Sequence, residues 1–443
     1  MLTSTYLLRQ RRFLPLFATQ LLNAFNDNLF KNAMVLFVVY QVYNSEEAEA
    51  KFSAITSALF ILPFFILSAL SGQLADMRDK AVLIRWIKLA EIGIMIVGAA
   101  GLLMAWQGIL TDAVAIPLML LALFAMGVHS TFFGPIKYAI LPQHLEKDEV
   151  LAGTGLVEAG TYIAILAGTI LAGYIPVEAA AAGVIITAVI GWLTSKQVPP
   201  APPAERGQPL DWHLLRASID LVRRTMHINE VFYAILAISF FWTIGAVLFI
   251  QFPPLAKNVL FASKEVASLF LVIFSIGVAI GSVAINALLK GDVSARYAPI
   301  SVLFMGFFVG VFWFLCHEWT TDVGPTELLN VGEFLSYPLA PAILFTLLLI
   351  AISGGMFVVP LYAFLTTKCD PSVAARMVAA NNIVNSGAMV IGSVIAGGLS
   401  AIGVPIVEQV LLSALMCVIS AFLGARLHKE ERHALEIAKL KLD

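Results

Sequence analysis

The sequence is short of charge, of cysteine and of any signature of an ATPase or a nucleic-acid binder. Only 13% of its 443 residues are charged, far below the roughly 25% of a soluble domain, which excludes an ordinary water-soluble fold. Three cysteines, Cys316, Cys369 and Cys417, are odd in number and scattered, so neither a disulfide framework nor a metal site is expected. The formal net charge is −2 and no basic block appears, so nucleic acid is not an expected partner. No G-x4-G-K-[ST] loop is present, so neither direct ATP use nor any cofactor is expected. His317 and Asp322 fit an H-x4-D acyltransferase pattern. They fall in an expected outside loop with none of that domain around them, and the match is read as coincidence; the chain is not expected to be an enzyme.

What is abundant is hydrocarbon. The chain is 60% hydrophobic, with a mean hydropathy of +0.89. Reading apolar runs of about 20 residues, the length that spans a bilayer, predicts an all-α polytopic membrane protein of twelve transmembrane helices. The runs lie near 13–41, 52–74, 82–106, 113–133, 150–174, 178–196, 230–251, 265–289, 298–317, 339–361, 377–401 and 404–424. The basic N-terminus leads into a run too long for a signal peptide, with no small-residue cleavage site, so it is expected to stay as the first span. Residues 197–229 break the pattern: a Pro-rich stiff linker, then Leu214, Leu215, Ile219, Leu221 and Val222 at helical spacing, expected to lie on the membrane surface. The expected organisation is a six-helix half over 1–196, the linker with its amphipathic helix over 197–229, a second half over 230–425, and a tail over 426–443.

All of the 27 Lys and Arg except Lys31, Lys51, Lys257 and Lys264 fall in or beside alternate, even-numbered connections and the two ends. The widest loop on the other side, near 318–338, carries Glu318, Asp322, Glu327 and Glu333 and no cation. The positive-inside rule then puts both termini in the cytoplasm. The halves echo each other. Tyr138-Ala-Ile-Leu after span 4 matches Tyr362-Ala-Phe-Leu after span 10, and Leu151–Gly160 aligns with Val378–Gly387. An offset of six spans preserves orientation, the parallel repeat of two-half transporters.

The first span carries the sharpest functional signal. Asn23, Asn26, Asp27, Asn28, Lys31 and Asn32 sit near its middle, where an Asp or Lys costs about 2.5–3.5 kcal/mol. Asn23, Asp27 and Lys31 step by four onto one helical face. Such a stripe faces a protein interior or a water-filled path; the plainer alternative is an Asp27–Lys31 pair that neutralises itself. Lys137 and Tyr138 just after span 4, Glu158 about two turns into span 5, and Asn381, Asn382 and Asn385 in span 11 add polar groups. The plainer readings are a mark of the cytoplasmic end of span 4 for Lys137, a packing role for Glu158 and interhelical bonding for the asparagines. Lys88 and Glu91, three apart in span 3, are expected to pair or snorkel. Gly155, Ala159, Ala164, Gly168 and Ala172 in span 5, with Gly392, Ala396, Gly397 and Gly398 in span 11, read as close-packing positions.

Gly72-Gln-Leu-Ala-Asp76-Met-Arg78-Asp79-Lys80 follows span 2 and resembles the loop motif G-x-L-A-D-R-x-G-R-R of the major facilitator superfamily. Met77 and Asp79 depart from the pattern. The resemblance implies that fold, two six-helix halves about a pseudo-two-fold axis, with Gly72, Asp76, Arg78 and Lys80 bracing a gate. The equivalent segment of the second half, Gly281–Asn286, lacks the Asp. Asn23–Asn28, Phe133–Pro142 with Lys137 and Tyr138, Gly155–Ala159 with Glu158, Gly354–Leu361 and Asn381-Asn382 are together similar to the bacterial lysophospholipid transporter family. That likeness implies flipping of lysophospholipids such as lyso-phosphatidylethanolamine from the outer to the inner leaflet of a bacterial inner membrane. It implies functional coupling to a lysophospholipid acyltransferase, and head-group residues at Asp27 and Lys137. The family also uses an Arg on span 7, where this chain reads SFFWTIGAVLFIQF. The phosphate contact then falls to Lys137 and Lys31, or the head-group preference differs.

A one-chain lipid needs a cation for its phosphate, a carboxylate for its amine and an apolar path among the membrane lipids. Lys31 or Lys137, and Asp27 or Glu158, meet the first two needs. Two other readings fit the composition: a proton-coupled transporter or exporter of small polar or drug-like molecules, and a membrane scaffold that recruits an acyltransferase through its tail.

Overall fold

The computed structural model describes residues 6–42, 46–203, 210–320, 328–367 and 373–440. Among them there is no strand, only an isolated bridge between Ala262 and Leu329. In hydrocarbon no water can satisfy a free N–H or C=O, so a helix, which bonds its own backbone, is the natural spanning element for these runs. Twelve long helices result: α1 Leu14–Phe37, α2 Glu46–Met77, α3 Lys80–Trp106, α4 Ile116–Ala139, α5 Val150–Tyr174, α6 Val177–Ser195, α7 Asn229–Asn258, α8 Lys264–Leu289, α9 Ala298–His317, α10 Ala340–Thr367, α11 Ala374–Ala401 and α12 Ile406–Leu440. Eleven are long and apolar enough to cross a membrane. The remaining one, α1, has 24 residues, which is about 36 Å of helix against a core of about 30 Å; its polar stripe is what lowers its hydropathy.

Several helices outrun the apolar windows. The fourth was expected to stop at 133, but α4 continues through Gly134-Pro135 to Ala139, so Lys137 and Tyr138 stand in its last turn rather than in a loop. Tyr362–Leu365 likewise lies inside α10, and Gly281–Asn286 inside α8, which ends at left-handed Lys290 and Gly291. The tail continues α12 without a break to Leu440. Pro63, Pro135, Pro253, Pro254 and Pro360 all sit within helices; neighbouring helices make this tolerable in a membrane protein. Asp322, Glu327, Cys369 and linker residues 204–209 lie outside the described residues.

The chain divides into two compact units, Leu2–Arg224 with Thr366–Ile383, and Thr225–Leu365 with Val384–Asp443. In the first, α1 packs on α5 and α6, α2 on α4, and α3 on α4 and α6. Leu29, Phe30, Met34, Met95, Met119 and Val184 belong to its core. Gly98 of α3 leaves room for Phe30: a Cβ there would lie 2.6 Å from the ring. Gly168 of α5 lets α1 approach, since a Cβ would come within 2.5 Å of the Phe25 carbonyl. In the second unit α12 packs on α7 and α9, Gly277 of α8 lies against Ala351 of α10, and Phe249, Phe252, Phe270 and Phe274 meet edge to face. Gly392 packs on Thr243, but Gly397 and Gly398 look onto open space, so the close-packing role expected for that pair is not seen.

The linker begins as a strap. Asp79 caps α3 by accepting from Ala81 and Val82 N–H at 2.8 and 3.3 Å, and also accepts from Ala201 N–H at 3.2 Å. Lys80 N–H donates to the Ala201 carbonyl at 3.0 Å, Arg85 to that of Val198 at 3.1 Å, and His144 Nε2 lies 3.4 Å from that of Pro200. The amphipathic helix forms at Leu214–Thr225. Its Ala217, with Leu221 and Val222, packs on Ala69 and Ile383, while Leu215 and Ile219 are exposed.

Two outcomes follow from this packing. Gly168→Leu forces α1 from α5 and is expected to destabilise by about 1–3 kcal/mol, the usual cost of overpacking, read as a lower melting temperature in detergent. Burial pushes His144 below its ordinary 6.5, against the weaker pull of the Pro200 carbonyl. The unfolded chain therefore takes up the proton first, and the strap's contribution is whole above pH 6.5 and lost as pH falls below it. A cysteine placed at Ala201 should then label faster in acid relative to an exposed control cysteine at the same pH, which cancels the pH dependence of the thiolate; an unchanged ratio would contradict the assignment.

Candidate functional site

The polar stripe of α1 meets α3 and α4 inside the first unit. Asn26 Nδ2 donates to Glu91 Oε1 at 2.7 Å. The other carboxylate oxygen of Glu91 pairs with Lys88 one turn earlier on α3, and with His129 Nε2 of α4 at 3.3 Å. Lys88 Nζ also donates to Asn23 Oδ1 at 3.3 Å, and Asn23 Nδ2 donates to Asp27 Oδ2 at 3.2 Å. Ser130 Oγ donates to that same oxygen at 2.6 Å. Lys88 and Glu91 are wholly buried rather than snorkelling, and Asn26, Asn23, Asp27, His129 and Ser130 are buried with them. Gly191 of α6 makes the space: a Cβ there would stand 2.8 Å from Lys88 Cε. Because a lone buried charge is costly, this mesh of opposite charges and amides is what allows two ions to lie within the span.

Asp27 and Lys31 form no ion pair within 4.0 Å among the described residues; Lys31 Nζ instead lies 5.6 Å from the centre of the Phe60 ring on α2, still in the field of Asp27. The self-neutralising pair is therefore absent. Asn28 turns back to the Ala24 carbonyl at 2.8 Å, and Asn32 reaches Thr169 Oγ1 at 3.0 Å.

A second cluster joins α4 to α5. The Tyr138 hydroxyl donates to Glu158 Oε1, and Lys137 Nζ stands 4.8 Å from the centre of the Tyr138 ring in the fields of Glu158 and Asp27. Glu158 is wholly buried. Asp27 Oδ1 and Glu158 Oε2 are buried oxygens with no hydrogen-bond partner among the described residues. Two carboxylates with a lone pair to spare, and two lysines held by ring faces rather than by carboxylates, leave both signs of charge open to a ligand.

The residues of the expected gating motif lie at the end of α2 and the start of α3. Asp76 accepts from Ala375 and Arg376 N–H at 2.9 and 3.0 Å and faces the Arg376 guanidinium at 3.6 Å. It thus caps the first turn of α11, where the helix dipole favours an anion. Gly72 allows this contact, for a Cβ would lie 2.7 Å from that of Ala379. Arg78 is exposed and Lys80 buried. Asn381 and Asn382 belong to this unit, with Asn382 beside Gly134. Asn385 belongs to the other, where it accepts from Ser239 Oγ of α7 at 2.6 Å, an interhelical bond rather than a place in the cluster. His129, Ser130 and Gly191 were not anticipated. The pair His129-Ser130 within the apolar run of α4 was the available signal.

A family model described as the Major Facilitator Superfamily matches residues 16–393. The lysophospholipid transporter LplT of Serratia proteamaculans is 25% identical over 396 residues, covering 87% of each chain. That of Escherichia coli (strain K12 / DH10B) is 24% identical over 400 residues, covering 88% of each. Among solved structures, the fold is similar to a bacterial homologue of the iron transporter ferroportin in an outward-facing state, at TM-score 0.69 and 13% identity over 95% of this chain and 100% of that one. It is also similar to the human organic anion transporter MFSD10, at TM-score 0.71 and 13% identity over 94% and 99%.

Removing one member of the buried ion pair strands the other. Lys88→Met or Glu91→Gln alone is expected to destabilise by about 3–5 kcal/mol, and the Lys88→Met/Glu91→Met double variant by much less. Melting temperature and yield in detergent measure this; equal losses in the single and double variants would count against the pairing.

Proposed function

Since the chain belongs to the Major Facilitator Superfamily, we propose that it transports lysophospholipids, chiefly lyso-phosphatidylethanolamine, from the outer to the inner leaflet of a bacterial inner membrane. It is a multi-pass membrane transporter, not an enzyme. The observation that carries the proposal is the open charge of both signs at membrane depth: Asp27 Oδ1 and Glu158 Oε2 for an ammonium, Lys31 and Lys137 for a phosphate. The likeness to lysophospholipid transporters along 87–88% of the chain supports it.

In this reading the head group enters between α1, α4 and α5, with its amine toward Asp27 and Glu158 and its phosphate toward Lys137 and Lys31. Asn23, Asn28 and Tyr138 position those groups. Asn381 and Asn382 add amides from α11, and Asn385 holds α11 to α7. The acyl chain stays in the apolar phase. Access alternates as the Asp76 cap on α11 is made and broken, with Gly72 allowing the close approach and Arg78 and Lys80 supplying charge at that end. Both termini lie in the cytoplasm, and the product serves a lysophospholipid acyltransferase on that side.

Uptake of labelled lyso-phosphatidylethanolamine into spheroplasts lacking their own such transporter tests this. Asp27→Asn and Lys137→Ala are each expected to cut uptake by about ten- to a hundredfold, the range for losing one charged hydrogen bond. A well-expressed parent chain that takes up none overturns the substrate assignment. The buried His129–Glu91–Lys88 mesh favours a second reading, a proton-coupled transporter of small polar molecules. Strict dependence on a pH gradient, together with indifference to lysolipid, would mark it.

A further inference from the structure

Helices α2, α3 and α4 enclose an apolar groove of about 550 Å³. Trp86 and Leu121 on its walls are 66% and 57% exposed, so the groove is open along its side. Its polar members are Ser71 and His129: Ser71 Oγ donates to the Thr131 carbonyl at 2.8 Å, and His129 Nε2 faces Glu91, while His129 Nδ1 is buried with no hydrogen-bond partner among the described residues. No charged side chain lines it. An occupant of this space is therefore hydrocarbon.

The length of the groove narrows the choice. Along α3 it runs from Leu83 to Ile94, and along α4 from Leu121 to Ile136, which is about 16 Å and about 22 Å at the helical rise. Leu83 lies at the start of α3 and Ile136 at the end of α4, while Ile94 is at the middle of α3. On α3 the groove thus reaches from one membrane edge to about the midplane, half of a core about 30 Å thick, while on α4 it continues past the middle of the helix. Its depth of about 16–22 Å suits one extended acyl chain. A cationic residue follows the groove in the chain at the end of α2. Arg78 follows Leu74, a lining residue, by one helical turn, with its N–H still donating to the Leu74 carbonyl at 3.1 Å. It is exposed and makes no ion pair among the described residues.

A hydrocarbon slot of about acyl-chain length, with a guanidinium that makes no ion pair among the described residues one turn beyond it, has the chemistry of one phospholipid. We propose that this groove binds a resident bilayer phospholipid with an anionic head group: one acyl chain lies between α3 and α4, and the phosphate lies on Arg78. This lipid is distinct from the transported one. Its chain packs against His129 from the side opposite Glu91, and so backs the buried charge mesh without entering it.

The test uses the full chain in mild detergent with phosphatidylglycerol added, examined by native mass spectrometry. One lipid should remain bound after the others are stripped. Ala125→Trp and Ala90→Trp, which fill the groove from α4 and from α3, should each lower its occupancy by about tenfold, as turning about two CH2 groups out of an apolar site demands. Arg78→Gln should lower it several-fold and erase the preference for phosphatidylglycerol over phosphatidylethanolamine. Melting without added lipid checks that the variants fold. Should they not, brominated phosphatidylglycerol titrated onto the parent chain should quench fluorescence to saturation near one lipid per chain, with that component missing from Trp86→Phe. The proposal is overturned by undiminished occupancy in folded tryptophan variants, by quenching that never saturates, by a retained mass equal to a second copy of the chain, or by preferential retention of lyso-phosphatidylethanolamine. Uptake by the parent chain is read separately, so this site and the transport assignment can fail independently.

Discussion

Charge cannot sit alone in hydrocarbon, and the first unit is arranged around that constraint. Lys88 and Glu91 are the most deeply buried ions of α3. The amides of Asn23 and Asn26 and the ring of His129 converge on them. Each contact fixes the rotation of one helix against another: α1 must turn its Asn–Asp stripe to α3, and α4 must turn His129-Ser130 to the same point. Removing one charge would leave its partner stranded, so the register of three helices rests on this mesh. Gly191 is part of the same solution, since any larger residue on α6 would displace the lysine.

Close packing supplies the rest, because apolar side chains gain little by leaving lipid for one another and helices associate through van der Waals fit. Gly168 brings α1 onto α5, Gly98 admits Phe30, and Gly72 brings α2 against the start of α11. At that last contact Asp76 joins packing to electrostatics, accepting from the free N–H groups at the first turn of α11. An anion at a helix N-terminus satisfies donors that have no partner within the helix.

In the proposed function these two arrangements divide the work. The ion-paired groups of α3 hold the helices in register. The partly satisfied ones, Asp27, Glu158, Lys31 and Lys137, keep hydrogen-bonding capacity for a zwitterionic head group. The difference is a matter of partners: Glu91 meets a lysine, a histidine and an amide, whereas Asp27 keeps one oxygen free.

Much of the fold was legible in the sequence because a spanning helix needs only length and hydrophobicity, which are local. The stripe of α1 was legible for the converse reason, since charge in an apolar run stands out. The Lys88–Glu91 pair was readable from its spacing of three. Helix ends were less so: α4 runs through Gly134-Pro135 to Ala139, because a bundle tolerates a proline that would mark a boundary in water. The sequence by itself determined that this chain is a membrane protein of twelve helices with ionisable groups at membrane depth. Only the tertiary structure decided which partner each of them meets. Asp27 takes its bonds from Asn23 and Ser130 while Lys31, four residues away on its own helix, turns to Phe60. The partners of a buried charge are chosen by packing between helices distant in sequence, and spacing along one helix cannot show it.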